Sequence, residues 1–358
     1  MPSLLSRFAV LVLLVSGVMT SAGYASGGEE GEISFDPMHH VANAYYLDFT
    51  PFGKVELPRI FLLRTAEGKL TLKVYPSTAA ALRSGYFVPV FEEGVEEVSD
   101  IETLIHEGHH LEAHLVPVEG DVVLDLSISK HVVFEFLAAL LLIWVALAVA
   151  ARYKKGIGRR TAPKGVLQNM MEVIVLFIRD EVARPNIGKK HQRFLPYLLT
   201  VFMFILFCNL LGLLPFGATA TANITVTATL AIFTFLMTHL YASKDYWQHI
   251  FWPPGIPTIV RPILVPVEIL GMFTKPFALA IRLFANMTAG HLVIVTLIGL
   301  IFILAGIFGT AAGLGTAVIS VSLALFIYLL ELLVAFIQAY VFTMLSAIFI
   351  GMAVQEHH

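Results

Sequence analysis

The run Phe277-Ala278-Leu279-Ala280-Ile281-Arg282-Leu283-Phe284-Ala285-Asn286-Met287 sets one arginine inside an apolar segment that extends from Ile263 to about Ile307. A guanidinium cannot shed its proton, and an arginine at mid-membrane costs about 2.5–3.5 kcal/mol on translocon scales. No acidic residue lies within ten positions of Arg282. A second long apolar segment runs from Ala317 to about Met352, separated from the first by the glycine-rich stretch Gly309 to Gly315. A bilayer core of about 30 Å needs roughly 20 helical residues. A helix of about 40 residues would extend about 60 Å, so each segment must tilt strongly, kink, or lie partly along the bilayer.

The rest of the chain agrees with a membrane setting. Of its 358 residues, 57% are hydrophobic and 14% charged, and the mean hydropathy is +0.80. Three shorter spans are predicted, at Val132–Ala151, Phe194–Phe216 and Asn223–Ala242, because unsatisfied backbone is not tolerated in lipid. Val166–Arg184 mixes apolar runs with Glu172, Arg179, Asp180 and Glu181. It reads as a helix along the interface or as the start of the next span. The fold class expected is an all-α membrane domain of five spans, the last two long and tilted.

Charge is segregated along the sequence. Residues 26–130 carry 18 Asp/Glu against 7 Lys/Arg, whereas residues 152–193 carry 11 Lys/Arg against 3 Asp/Glu. Lysine and arginine mark cytoplasmic loops, so residues 152–193 are expected inside the cell. Met1 to Ala25 has Arg7 ahead of an apolar run and ends in small residues, the pattern of a signal peptide. The predicted organisation is therefore a signal peptide at 1–25, an exported acidic domain at 26–130 and a membrane domain at 131–358. The exported domain should be α+β or mostly β, with a hairpin of Val55–Leu63 and Leu70–Val74 around Gly68 and a further strand at Phe87–Phe91. Cys208 is the only cysteine, so no intrachain disulfide or thiolate metal site is available.

His106-Glu107-Gly108-His109-His110 satisfies the pattern H-E-x-x-H. On a helix that pattern sets two zinc ligands on one face beside a general base, so His106 and His110 are metal-ligand candidates for a membrane-anchored metalloprotease. Gly108 argues against a continuous helix there, and no specific third ligand is evident. No G-x-x-x-x-G-K-[ST] loop occurs, so nucleotide chemistry is not expected of this chain.

In the long segments a period of 100° per residue sets Asn286, Ala278, Lys275 and Glu268 near the Arg282 side, with His291 roughly opposite. Glu331 and Gln338 are seven apart and share a face of the last helix. Titratable His291 and Glu331 could then meet across helices. From the residues alone, two readings stay open: an ion pathway, including that of a secondary transporter, and an arginine that snorkels or pairs with Glu331 in a static bundle.

The longer run Thr274-Lys275-Pro276-Phe277-Ala278-Leu279-Ala280-Ile281-Arg282-Leu283-Phe284-Ala285-Asn286-Met287-Thr288-Ala289-Gly290-His291 resembles the signature of the ATP synthase subunit a family. Asn209-Leu210-Leu211-Gly212-Leu213-Leu214-Pro215, Asn223-Ile224-Thr225-Val226-Thr227, and Glu331 through Gln338-Ala339-Tyr340-Val341-Phe342 match in the same order. The resemblance covers about residues 131–355. It implies a bacterial inner-membrane subunit with a cytoplasmic C-terminus, working with a ring of c subunits, peripheral-stalk b subunits and other ATP synthase subunits. It implies protons as the transported ion, with sodium not excluded, no cofactor and no nucleic-acid partner. Arg282 would meet each ring carboxylate and separate two offset half-channels. Asn209, Asn286, His291 and Glu331 would line entry from the outer side, Gln338 would sit beside the arginine, and Glu268 would belong to the cytoplasmic exit. Some bacterial members carry Glu where His291 stands and His where Glu331 stands, a reciprocal exchange that suggests contact.

Overall fold

The computed structural model describes residues 44–354 except 50–52, 66–67, 92–100, 112, 159–160, 215–218, 253–256 and 258. The expected signal peptide lies outside them. Within the described residues the chain forms two compact units, the first ending at Val133 and the second beginning at Phe134.

In chain order the first unit contains β1 (Tyr46–Asp48), β2 (Lys54–Glu56), β3 (Arg59–Arg64), β4 (Leu70–Tyr75), α1 (Thr78–Arg83), β5 (Phe87–Val90), α2 (Ile101–Glu107), β6 (His114–Pro117) and β7 (Asp121–Asp125). All pairings are antiparallel: β1 with β2, β5 with β6, and a three-stranded sheet ordered β4-β3-β7. Along β3, Arg59, Phe61 and Leu63 are buried while Ile60 and Leu62 are not, the period of two expected of a half-buried strand. Phe61, Leu63, Leu82, Phe87 and Leu115 form the small core, in which the Phe61 and Phe87 rings lie 4.6 Å apart. The strand expected to run from Val55 to Leu63 is two strands. It breaks at Leu57-Pro58, where proline has no N–H for a ladder, and β3 then turns around Gly68 (φ +80°) into β4. Arg59 is 2% exposed, with its guanidinium 3.5 Å from the Tyr45 ring centre and 4.0 Å from Asp125. Burial pulls its pKa below the ordinary arginine value.

The second unit is helical. It comprises α3 (Lys130–Lys154), which begins in the last residues of the first unit, α4 (Val166–Phe177), α5 (His191–Gly212), α6 (Ile224–Leu240), α7 (Lys244–Phe251), α8 (Arg261–Phe308) and α9 (Thr310–Val354). Among the described residues four helical stretches are long and apolar enough to cross a membrane: Lys130–Lys154, Val166–Gly212, Arg261–Phe308 and Thr310–Val354. The pair α6 and α7, bent by 103°, makes a fifth if taken as one span.

Of the two readings of Val166–Arg184, a helix along the interface or the start of the next span, the second fits: Val166–Gly212 forms one long apolar stretch that enters the bundle core. After α4 the chain makes a π-helical turn, Ile178–Ala183, and one further helical turn, Arg184–Ile187. The Arg184 N–H donates to the Arg179 carbonyl five residues back, just ahead of Pro185, which has no N–H to continue the ladder. Ile178 and Val182 are fully buried with Phe194, Leu198, Phe202 and Phe342. Gly351 of α9 lies against this turn, where an added Cβ would sit 2.9 Å from the Asn186 carbonyl carbon.

α8 and α9 have 48 and 45 residues, about 70 Å each at 1.5 Å per residue. The glycine-rich separator shrinks to one residue. Gly309 alone adopts positive φ (+84°), the left-handed conformation that glycine reaches without strain. Gly313 is already inside α9, where a Cβ would stand 3.2 Å from Ala305 Cα. Its small size therefore serves close helix packing, not a loop.

Candidate functional site

α8 turns Leu279, Leu283 and Met287, spaced by four, into the bundle. Arg282 and Asn286 lie on its exposed side together with Ala278, Ala285 and Ala289. Among the described residues no carboxylate comes within ion-pair distance of Arg282, so none of them compensates its charge. Small side chains above and below it leave room for another helix to come close. Lys275 and Glu268, two and four turns back, are exposed as well.

α9 supplies the facing groups. Glu331, Ala335 and Gln338 are all buried on one face, as their spacing of four and three requires. The Asn286 side-chain amide donates to Gln338 Oε1 at 2.7 Å, one turn from Arg282. Asn209 of α5 donates to the Ala335 carbonyl at 3.2 Å and accepts from the Thr221 hydroxyl at 2.8 Å. Hydrogen bonds therefore run from Thr221 through Asn209 to Ala335, and a separate pair, Gln338 and Asn286, follows one turn along α9. Tyr328 adds a clamp, donating to the Leu213 carbonyl at 2.9 Å.

Glu331 is 8% exposed, and among the described residues neither carboxyl oxygen has a hydrogen-bond partner. Leaving a buried polar group unsatisfied costs about 1–3 kcal/mol, a cost that points to a working group rather than a packing one. The carboxyl lies directly over Gly290, where an added Cβ would stand 2.9 Å from Glu331 Cδ and 3.1 Å from Cγ. Glu331 thus reaches α8 at the residue before His291, which is itself half-buried.

The H-E-x-x-H candidates separate. α2 ends at Glu107, Gly108 takes φ +82°, and His109–Leu111 form a separate 3-10 turn, so His106 and His110 do not share a helical face. His106 is exposed, while His110 is buried with Nε2 3.3 Å from Glu56 Oε1. Glu56 also accepts from the Ala79 N–H at the start of α1. Among the described residues no group of three or more His, Cys, Asp or Glu is arranged to hold a metal ion.

Sequence reasoning missed Thr221 and Gly290. Thr221 sits in a short uncharged stretch with no pattern. Gly290 carried one signal, a glycine within a helix at a cost of about 1 kcal/mol relative to alanine.

Apolar helices enclosing a row of amide, hydroxyl and carboxyl groups, with an uncompensated arginine on the outer face, define a multi-pass membrane protein that moves ions. Comparison with known proteins narrows that class. Residues 132–351 match the family described as ATP synthase A chain. The chain is 40% identical to ATP synthase subunit a of Chloroherpeton thalassium, over 99% of this chain and 94% of the relative. It is 42% identical to ATP synthase subunit a 2 of Chlorobium luteolum, over 91% of this chain and 77% of the relative. Against ATP synthase subunit a 2 of Chlorobaculum tepidum it is 56% identical, over 64% of each. The chain belongs to the ATP synthase A chain family, the proton-translocating subunit of the synthase's membrane sector.

Proposed function

We propose that Arg282 is the barrier between two offset proton half-channels that this subunit forms against a ring of c subunits. The observation that carries the reading is the Arg282 guanidinium on the outer side of α8, flanked by Ala278, Ala285 and Ala289, with no carboxylate partner among the described residues. A permanent positive charge there favours the deprotonated form of any carboxylate brought beside it. A ring carboxylate must give up its proton before it passes. Protons enter from the outer side along Asn209, Asn286, His291 and Glu331 and load the ring. They leave past Glu268 after nearly a full rotation, with Gln338 holding Asn286 beside the arginine. Each charge crossing 100 mV supplies about 2.3 kcal/mol, delivered as torque. The subunit sits in a bacterial inner membrane with its acidic N-terminal domain, residues 26–130, outside and its C-terminus cytoplasmic. Peripheral-stalk b subunits hold it against rotation, and ATP chemistry is left to other subunits.

The test is ATP-driven proton pumping by the assembled complex in inverted vesicles. Arg282→Ala is expected to abolish coupled pumping while leaving ATP hydrolysis by the soluble sector intact. Parental pumping in Arg282→Ala would overturn the barrier and bring the transporter reading forward.

A further inference from the structure

Beside Phe349, well along α9 from Glu331, a small cleft opens between α6, α7, α8 and α9, lined among others by Thr238, His239, Tyr246, Met272, Lys275 and Phe349. It has room for a water molecule. His239 stands in the last turn of α6, and its ring is fixed at both nitrogens. Nδ1 lies 2.7 Å from the Phe235 carbonyl oxygen, and a carbonyl only accepts, so Nδ1 carries the hydrogen. Nε2 of the neutral ring is then the acceptor, and the Tyr246 hydroxyl lies 3.3 Å from it. The corner that brings Tyr246 to His239 is itself held. Ser243 caps α7 by accepting from the Tyr246 N–H at 3.2 Å, and the Ser243 N–H donates to the Ala353 carbonyl of α9 at 2.7 Å.

Glu268 is one helical turn before Met272, on the face of α8 that lines the cleft, and it is near enough to act electrostatically on the Tyr246 phenol. Facing His239 across the cleft are Tyr246 from α7 and Lys275 from α8, with Glu268 two turns before Lys275, while α9 contributes the uncharged Phe349 and Met352. On the inner side the lining continues as buried hydroxyls. Thr238 and Thr234 are stacked on α6, and Thr234 contacts Tyr197 at 2.8 Å and Ser346 at 3.3 Å.

We propose that His239 is a proton-relay residue, set by Phe235 and Tyr246, that passes protons between the Glu268 side of this cleft and cytoplasmic water. The inference rests on the reading in which protons leave past Glu268, and it names the next group on that path. A proton coming from the Glu268 side bonds to the Nε2 lone pair, giving an imidazolium that keeps its Nδ1–H on Phe235. The Tyr246 hydroxyl turns from donor to acceptor as Nε2 gains its hydrogen. The same Nε2 proton then goes to water, and the neutral ring and its original hydrogen bonds return.

The experiment uses membranes carrying the whole complex, prepared as inverted vesicles and stripped of the soluble sector. Passive proton conductance is driven by a potassium diffusion potential and measured across a range of external pH. His239→Gln keeps hydrogen-bonding capacity but cannot titrate. It is expected to slow conductance about a hundredfold, the low end for loss of a positioned proton-transfer group, and to flatten the pH profile. Imidazole added outside, on the cytoplasmic face, is expected to restore the rate, and imidazole trapped inside is not. Tyr246→Phe, which removes one hydroxyl and keeps the ring, is expected to slow conductance less and to respond to the same addition. If His239→Gln fails to assemble, Tyr246→Phe decides. Parental conductance in the assembled variant, or a loss that external imidazole leaves unchanged, overturns the relay. Arg282→Ala, assayed for ATP-driven pumping in a parallel batch of the same vesicles that keeps the soluble sector, separates the two claims. Coupled pumping retained there overturns the half-channel reading itself, while coupling lost there with His239→Gln at parental rate overturns only the role of His239.

Discussion

Replacing Gly290 by alanine should cripple proton translocation without replacing a titratable group. The new Cβ would stand 2.9 Å from Glu331 Cδ and 3.1 Å from Cγ, with the Oε1 atom closer still. Carbon atoms prefer about 3.5–4.0 Å, so the carboxyl must swing away or α9 must retreat from α8. Overpacking a filled site costs about 1–3 kcal/mol. If the Glu331 rotamer absorbs that strain, the population with the carboxyl over Gly290 falls about 5- to 150-fold. The assay is ATP-driven acidification of inverted vesicles, normalised to the amount of assembled complex. Gly271→Ala is the matched control, because no atom lies within 4 Å of a Cβ added there, and it should pump at the parental rate. Combining Gly290→Ala with Glu331→Asp withdraws the carboxyl by about 1.5 Å, one carbon–carbon bond, and should recover part of the loss. Parental pumping by Gly290→Ala would refute the argument that the Glu331 carboxyl works from its position over Gly290.

Two other outcomes follow from contacts further out. Asn209→Leu strands the Thr221 hydroxyl and leaves the Ala335 carbonyl without its side-chain donor. A cost of about 1–3 kcal/mol per buried unsatisfied group should appear as less assembled subunit and a lower melting temperature of the solubilised complex. In the first unit, Arg83 grips Glu102 with two hydrogen bonds of 2.9 Å, and the Arg83 hydrogen bond holds the Glu102 carboxyl below its ordinary pKa. A depressed folded pKa adds stability above the unfolded value, which is lost as pH falls through the folded one. Amide hydrogen exchange of α1 and α2 in the full chain should therefore quicken more below about pH 4 in the parent than in Arg83→Gln. The pair is exposed, so high salt should shrink the difference.

Apolar length and charge anomalies carry far in a membrane sequence, and here they located the long helices and singled out Arg282 and Glu331, with Gln338 following from its seven-residue spacing to Glu331. Their limits are local. Helical period set Asn286 on the Arg282 side, yet its bond to Gln338 depends on how two helices are paired, which no period contains. The glycines from Gly309 to Gly315 read alike in sequence, but only Gly309 uses positive φ, while Gly313 is a contact with Ala305. His106 and His110 matched a zinc pattern because the pattern assumes a helix, and Gly108 breaks it. Thr221 was silent because a lone threonine in a loop gains meaning only from Asn209 standing opposite. The segment after Val166 read from its charges as either interfacial or the start of the next span, and the choice rests on a π-helical turn that rotates Ile178 and Val182 into the core.

The one-residue turn at Gly309 also makes the hairpin a counting device. Asn286 and Gln338 are 52 positions apart, and they meet only because two helices fold back about a single hinge with no slack to absorb an error. One residue gained or lost on either arm between the hinge and these two would turn the far end by about 100° and slide it by about 1.5 Å. Arg282 would then face the interior or Gln338 the lipid. Between these two points the chain can exchange one apolar side chain for another, but its length is as constrained as the identity of the arginine.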